Sequence, residues 1–404
     1  MNLYEELKYR GLIDNITSED LIDKLNNESL TFYIGVDPTG ASMHIGHYSS
    51  VIAMAMRLKN AGHKPIIIAG GGTGLIGDPK PNAERSMLSK EVSLQNIENI
   101  KKQLVKLLGD DVKVINNADW LLEMNAIDYL RDFGKHFNIN YMLSKDTVKR
   151  RLDIGITYTE FSYMILQSID FLKLYERENC TMQIGGQDQW GNITSGLELI
   201  RKFHPEAKCY GLTMPLITRA DGSKFGKSES GKSLWLDINL TSSYEMYQYF
   251  VNSEDSKVIE YFKKLTFLSK EEIDEMEVLL KNEPEKRTAH KRLAFEVVKI
   301  LHGEEEAIKA EETSKEVFSG NHSENMPTYK LNNEKIGIIN IMDLLVLTEL
   351  TTSKSEAKRL VQSNAVKINN EKVENENLII NDELFENNMF ILQKGKKNYI
   401  KIEK

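Results

Sequence analysis

The chain has 404 residues and a net charge of −8, with 41% hydrophobic and 28% charged residues. That length favours two or three domains, and the acidic balance excludes a protein that coats nucleic acid non-specifically while leaving room for a local basic patch. No apolar run reaches the ~20 residues of a membrane span, and MNLYEELKYRGL at the amino end is neither a secretory signal nor an Arg-rich transit peptide, so a cytoplasmic protein without membrane contact is expected.

Residues 30–78 read as a strand–loop–helix–strand unit. LTFYIGV is a β-rich run, DPTGAS supplies turn residues, and MHIGHYSSVIAMAMRLKNAG has helical periodicity ending at Gly62, a C-cap candidate. HKPIIIAGG is a second buried-strand signal. Residues 159–177 look helical, CTMQIGG looks like a strand, and NITSGLELIRKF looks like the helix after it. Strands alternating with helices imply a parallel sheet with ligand sites at the carboxyl ends of its strands. Cys180 and Cys209 lie outside any CxxC pair, which excludes a disulfide framework and a cysteine-rich zinc site and leaves two buried reduced thiols as the expectation. From about residue 240 long charged helical segments take over, and the Asn/Ser/Gly/Lys-rich stretch from Ser319 to Glu334 reads as a linker. In the tail from Ile338, Ser353 followed by Glu356 is a capping-box pattern, and VKINNEKV predicts a tight hairpin about Asn369 and Asn370.

Two motifs carry phosphate chemistry as a pair. His44, Gly46 and His47 stand where the first loop enters a helix; two histidines three apart share one face of its first turn. Free N–H groups there would favour an anion, and Gly46 would let a flat ring approach the backbone. Taken alone, H-x-G-H fits two surface histidines equally well. Lys224 and Lys227 flank Phe225 and Gly226 ahead of Ser228, and two lysines on a glycine-containing loop suit a departing pyrophosphate. Taken alone, K-x-x-K is a solvated basic loop. A third constellation is Tyr163, Gln167 and Asp170, at i, i+4 and i+7 on one stripe of an otherwise apolar helix; it suits a small polar ligand as well as a solvated face. G-x-G-x-x-G over 72–77 suggests a dinucleotide site, but Asp78-Pro79-Lys80-Pro81 follows and cannot open the long helix that fingerprint needs.

With YIGVDPTGASMHIGH at 33–47, TGLIGDP at 73–79, TEFSYMILQSIDFLKLYE at 159–176, IGGQDQWGN at 184–192 and KFGKSESG at 224–231, the chain resembles the class I aminoacyl-tRNA synthetases and, within them, the bacterial tyrosyl enzymes. The resemblance runs in order across nearly the whole chain. It implies an α/β fold: a Rossmann-like parallel-sheet catalytic domain over 1–232, an α-helical anticodon-stem domain over 233–320, a linker over 321–337, and a small α+β RNA-binding domain over 338–404. It implies that Tyr163 and Gln167, with Asp78, hold the α-amino group of L-tyrosine, and that Asp170 and Tyr33 bind its phenol. Gly35 and Asp37 would border the substrate and Gln189 would approach its carboxylate. Thr39 and His44 would meet the phosphates, Gly46 and His47 the ribose and adenine of ATP, and Asp188, with Gly186, the ribose. Lys224, Lys227 and Ser228 would form the loop over the phosphates. ATP would be a substrate arriving with Mg2+, with no protein-bound metal. Tyrosine tRNA and a second copy of the chain, meeting around residues 120–150, are the expected partners.

The tail resembles an RNA-binding module shared with a small-subunit ribosomal protein and pseudouridine synthases. Lys354, Lys358 and Arg359 lie along one helix, with Lys394, Lys396 and Lys397 near the terminus, a set that suits a phosphate backbone or a solvated face. Asn364 and Asn370 stand where relatives often carry glycine, and asparagine tolerates the left-handed conformation. A tryptophanyl synthetase, a non-catalytic synthetase-like RNA-binding factor and a metabolic nucleotidyltransferase are the rival readings. An indole offers no hydroxyl to Asp170, the intact phosphate motifs argue against the second, and the third leaves the carboxyl-terminal third idle.

Overall fold

The computed structural model describes residues 1–78, 89–223, 225–227, 231–318, 326–395 and 398–404. In the first of its two units, six strands make one sheet: β1 (Asn15–Ile16), β2 (Thr31–Val36), β3 (Lys64–Ala69), β4 (Lys113–Asn116), β5 (Met182–Gly186) and β6 (Tyr210–Met214). Their order is β1-β6-β5-β2-β3-β4, parallel except for β1, which closes the β6 edge antiparallel. Apolar runs such as Ile66–Ile68 in β3 are buried, as strands covered on both faces require. Chain order reverses between β2 and β5. β2 pairs with β3 from Thr31–Lys64 through Val36–Ala69, but with β5 at Phe32–Met182 and Tyr33–Gln183. Beyond those positions pairing stops, leaving the crevice at the carboxyl ends that such a reversal makes.

The helical run after β2 comprises Ile45–His47, a π-helical turn over Tyr48–Ile52, and Ala53–Asn60, with Gly62 at φ 96° just past its end. The expected helix at 159–177 runs Tyr158–Glu178. Thr157 and Glu160 cap its start reciprocally, and Asn179 ends it in the left-handed conformation. Over 72–77 there is one 3-10 turn, Thr73–Leu75, rather than a long helix; Pro79, Lys80 and Pro81 lie outside the described residues. Cys180 is buried, but Cys209, just ahead of β6, is only partly so, which corrects the expectation of two buried thiols.

The units are residues 1–225, 235–237 and 259–274, and residues 226–234, 238–258 and 275–404. Within the first unit, two sets of bonds tie its later segments to its amino-terminal part. Leu236 N donates to Met43 O at 2.8 Å, and buried Arg10 donates to the carbonyls of Lys263, Thr266 and Leu268.

In the second unit, helices Ser243–Val251, Thr288–His302 and Glu304–Phe318 pack on one another. A five-stranded sheet, ordered β7-β11-β10-β8-β9, comprises β7 (Thr328–Lys330), β8 (Val366–Ile368), β9 (Glu371–Lys372), β10 (Met389–Lys394) and β11 (Asn398–Glu403). β7 lies inside the stretch read as linker: Tyr329 pairs with Ile402, and Tyr329 packs against the core of Leu331, Ile341, Leu344 and Phe390. The β8–β9 hairpin turns through Asn369 and Asn370, both at positive φ (47° and 70°). Ser353 Oγ caps helix Lys354–Gln362 by accepting from Glu356 N, whereas the Glu356 carboxylate accepts from Thr352 rather than closing the expected box.

Candidate active site

At the start of the H-x-G-H helix the two histidines act as caps. His44 Nδ1 accepts from Gly46 N at 3.1 Å, and His47 Nδ1 accepts from His44 N at 3.1 Å. The backbone N–H groups expected to face an anion are therefore taken by the motif's own rings. A neutral imidazole that accepts at Nδ1 carries its proton on Nε2, so each ring presents an N–H donor instead. The rings lie 3.9 Å apart, and burial first, then His44, pulls the His47 pKa down to about 3, so His47 is neutral at physiological pH. Gly46 is required by this cap: a Cβ there would sit 2.8 Å from His44 Cε1.

Asp170 is 3% exposed. Asn117 Nδ2 donates to its Oδ2 at 2.9 Å and Trp120 Nε1 to its Oδ1 at 2.8 Å. Burial outweighs those bonds and raises its pKa to about 7. Tyr33, 1% exposed, packs edge-on against Phe171, and its hydroxyl has no hydrogen-bond partner. Burial, and next the charge of Asp170, push that phenol well up. A desolvated carboxylate whose charge acts on an unsatisfied buried hydroxyl is a place for a ligand that both donates and accepts a hydrogen bond.

The other end of the same helix stripe is a cluster of amides and acids. Tyr163 donates to Asp37 Oδ2 at 3.3 Å and Thr73 to Asp37 Oδ1 at 3.1 Å. Gln189 Nε2 donates to Asp78 Oδ2 at 2.9 Å, while Asn192 Nδ2 lies within reach of Asp78 Oδ1, Gln167 Oε1 and Gln189 Oε1. Burial lifts Asp78 to about 6, against the bond from Gln189. Asn117 Nδ2 also donates to Thr73 Oγ1, so Asp37, Thr73, Asn117 and Asp170 form one chain of hydrogen bonds. Seven residue steps, about 10 Å along the axis, separate Tyr163 from Asp170. Two acidic ends that far apart suit a ligand with a cation at one end and a hydroxyl at the other.

Gly35, where β2 and β5 have ceased to pair, is exposed with nothing near its missing side chain, and Thr39 is exposed two residues past Asp37. Gly186 ends β5, and exposed Asp188 folds over it, its Oδ1 2.7 Å from where a Cβ would be; the close neighbour is the motif's own carboxylate. In the second unit Lys227 bridges Ser233, and Leu234 N donates to Gly226 O, closing a short loop. Lys224 and Ser228 lie outside the described residues, as do Lys396 and Lys397. Of the basic tail residues, Lys354 pairs with Asp343, Lys358 with Glu376 at 2.9 Å, and Lys394 with Glu356 at 3.0 Å and with Leu350 O. Arg359 is exposed. Among the described residues no three His, Cys, Asp or Glu side chains are grouped to hold a metal, and no helix is long and apolar enough to cross a membrane.

Sequence reasoning missed Asn117, Trp120 and Thr73, and gave Asn192 no role. Asn117 and Trp120 follow the end of β4, where a parallel sheet places ligand residues; only that position could have flagged them.

A crevice at a strand-order reversal, entered by an H-x-G-H cap, is the arrangement of a class I synthetase, and residues 25–319 match the family described as tRNA synthetases class I (W and Y). Residues 316–402 match the tyrosine–tRNA ligase SYY-like C-terminal domain. The chain is 45% identical to tyrosine–tRNA ligase of Geobacillus stearothermophilus, over 99% of each chain, and 46% identical to tyrosine–tRNA ligase 1 of Bacillus subtilis, over 98% of each. A C-terminally truncated mitochondrial tyrosyl-tRNA synthetase of Aspergillus nidulans superposes with a TM-score of 0.69 at 28% identity, covering 78% of this chain and 94% of that one. The chain belongs to the tyrosine–tRNA ligase family.

Proposed function

We propose that this chain activates L-tyrosine with ATP and transfers it to the 3′ end of its tRNA. The observation that carries the reading is the buried Asp170 carboxylate, held by Asn117 and Trp120, together with the buried, unpartnered Tyr33 hydroxyl on which its charge acts. A tyrosine phenol satisfies both groups, whereas phenylalanine strands them and an indole offers one donor and no acceptor. At the other end the α-ammonium lies among Asp78, Gln167 and Tyr163, with Asp37 beside them and Gln189 turned toward the carboxylate.

The tyrosine carboxylate attacks the α-phosphate: a carbon-borne oxygen bonds to phosphorus, the α–β anhydride breaks, and pyrophosphate leaves. In the second step a ribose hydroxyl of the tRNA end takes the acyl group and AMP leaves. No side chain forms a covalent intermediate. The protein contributes positioning and charge stabilisation. Neutral His47, with His44, offers Nε2–H donors to ribose and phosphate, Thr39 adds a hydroxyl for the phosphates, Gly46 makes room for the His44 ring, and Asp188, folded over Gly186, accepts from the ribose. Lys224 and Lys227 supply the loop charge for pyrophosphate, and Ser228 adds a neutral hydroxyl that can hydrogen-bond to phosphate. Mg2+ comes with ATP, held by phosphates and water. We assign catalysis to 1–232, the anticodon stem to 233–320 and further RNA contacts to 338–404, Arg359 among them. The chain acts in the cytoplasm as a homodimer.

The test is pyrophosphate exchange with tyrosine, phenylalanine and tryptophan supplied separately. Exchange with tyrosine alone is expected. Exchange with tryptophan alone ends the tyrosyl reading.

A further inference from the structure

Two elements converge on the short stretch that delivers His44 to its helix. Gln103, on helix Lys90–Leu108, accepts from Met43 N through Oε1 at 2.9 Å and donates from Nε2 to Ser42 Oγ at 2.8 Å. Because a backbone N–H can only donate, this fixes which way the amide faces. Ser42 Oγ also accepts from Asp237 N at 3.3 Å and gives its one proton to Met43 O at 2.7 Å. Leu236 N reaches the same Met43 carbonyl at 2.8 Å, and Trp235 forms an antiparallel bridge with His44. Two turns earlier on the same helix, Asn96 Nδ2 donates to Pro38 O at 2.9 Å. One helix face thus grips the loop at Pro38 and again at Met43, while the Trp235–Asp237 segment, after the lysine motif, closes the other side. Ser42 and Met43 are 2% and 0% exposed, so the loop's side of these bonds is out of water, while Gln103 reaches them from a half-buried position.

His44 itself is extended, at φ −120° and ψ 169°, and its ring is held against the first helical turn by the bond from Gly46 N and by the His47 ring 3.9 Å away. The His44 N–H is itself part of that cap, donating to His47 Nδ1, so whatever rotates the Met43–His44 peptide disturbs the cap and with it the direction of the His44 Nε2–H. We propose that Gln103 is a positioning residue for tyrosine activation: with Ser42 and the Trp235–Asp237 segment it holds the backbone at Met43 and so aims His44 at the phosphates of ATP. This rests on the reading of His44 as part of the ATP site. It goes beyond that reading by extending the machinery to a residue outside every signature motif and by giving the segment after the lysine motif a task.

A double-mutant cycle on the full-length chain tests it, using ATP–pyrophosphate exchange with tyrosine. Gln103→Met, similar in size but unable to make either bond, is expected to lower kcat by about ten- to a hundredfold, the range that misplacement of a catalytic group produces. The tyrosine-induced thermal shift should be retained, since no residue of the tyrosine pocket is bonded to Gln103. Gln103→Glu still accepts from Met43 N and should fall between Gln103→Met and wild type. In the His44→Ala background, Gln103→Met should cost less than about twofold, because a residue acting through His44 has nothing left to aim. Equal fold losses in the two backgrounds, or wild-type exchange in Gln103→Met, overturn the proposal. Loss of the tyrosine shift in both Gln103 variants overturns it too, by making the residue a general support of the fold. A wild-type chain without tyrosine-dependent exchange removes the activity reading, and this one with it.

Discussion

At the scale of single residues, the two ends of the tyrosine pocket store unfavourable charge. Burial raises Asp170 to about 7 and Asp78 to about 6, from 3.8. A carboxyl whose pKa is raised on folding holds its proton more tightly in the fold than in the unfolded chain. Its neutral form contributes stability at low pH, and that contribution is lost as pH climbs from about 4 through 6 and 7. Tyrosine reverses the preference, since an ammonium at Asp78 and a phenol at Asp170 both favour the ionised acids. Tyrosine affinity should therefore fall as pH drops from about 8 to about 5, with net proton release on binding across that window. Calorimetry in two buffers of different ionisation enthalpy measures both quantities. In Asp170→Asn the step near 7 should vanish along with most tyrosine affinity, while the far-ultraviolet spectrum stays that of the wild type. A Kd that is flat with pH would remove ionised Asp170 from recognition.

At the scale of elements, what the sequence made legible were features with local causes. The Tyr158–Glu178 helix announces itself by periodicity and by Thr157 and Glu160, and the β8–β9 turn by paired asparagines that tolerate positive φ. Asn364, at φ 56°, bears out the same reasoning. What stayed hidden depends on through-space partners. Nothing in the pattern of residues 328–330 says that they will pair with the last strand, and nothing in H-x-G-H says that the rings, rather than a ligand, will take the backbone N–H groups. Nor does spacing reveal Asn117, whose amide joins Thr73 to Asp170 from a strand away. The same distinction governs one buried pair. Arg151 grips Glu160 with two bonds of 2.9 Å, both side chains nearly fully buried, and so anchors the start of the helix that carries Tyr163, Gln167 and Asp170. Arg151→Met leaves a buried unpaired carboxylate and should destabilise by about 3–5 kcal/mol. The double variant Arg151→Met/Glu160→Leu should recover part of that, because it removes the buried charge but also the Glu160 half of the helix cap. Urea denaturation measures both; a double variant no better than the single would mean that the pair's packing, rather than its charge, anchors the helix.

At the scale of the whole molecule, large apolar side chains left in water concentrate in one span of the chain. Leu122, Ile127, Leu130, Ile139, Leu152 and Ile154 are each between 46% and 66% exposed, whereas β5 and the helix Tyr158–Glu178 beyond its first residue bury most of theirs. Scattered exposed apolar residues need no explanation, but a run of them ahead of the helix that builds the pocket does. A two-fold axis through such a surface sets each patch against its own copy, so one substitution enters the interface twice. Leu130→Asp would then place two carboxylates in an apolar contact, a penalty that rises with desolvation. Sedimentation equilibrium should find the wild type at twice the chain mass and Leu130→Asp shifted toward a single chain at the same concentration. Leu216→Asp, also at an exposed leucine but outside that span, should leave the mass unchanged. A wild type that sediments as one chain at every concentration, or a Leu130→Asp that sediments like the wild type, would show that water, and not a second copy, covers these residues.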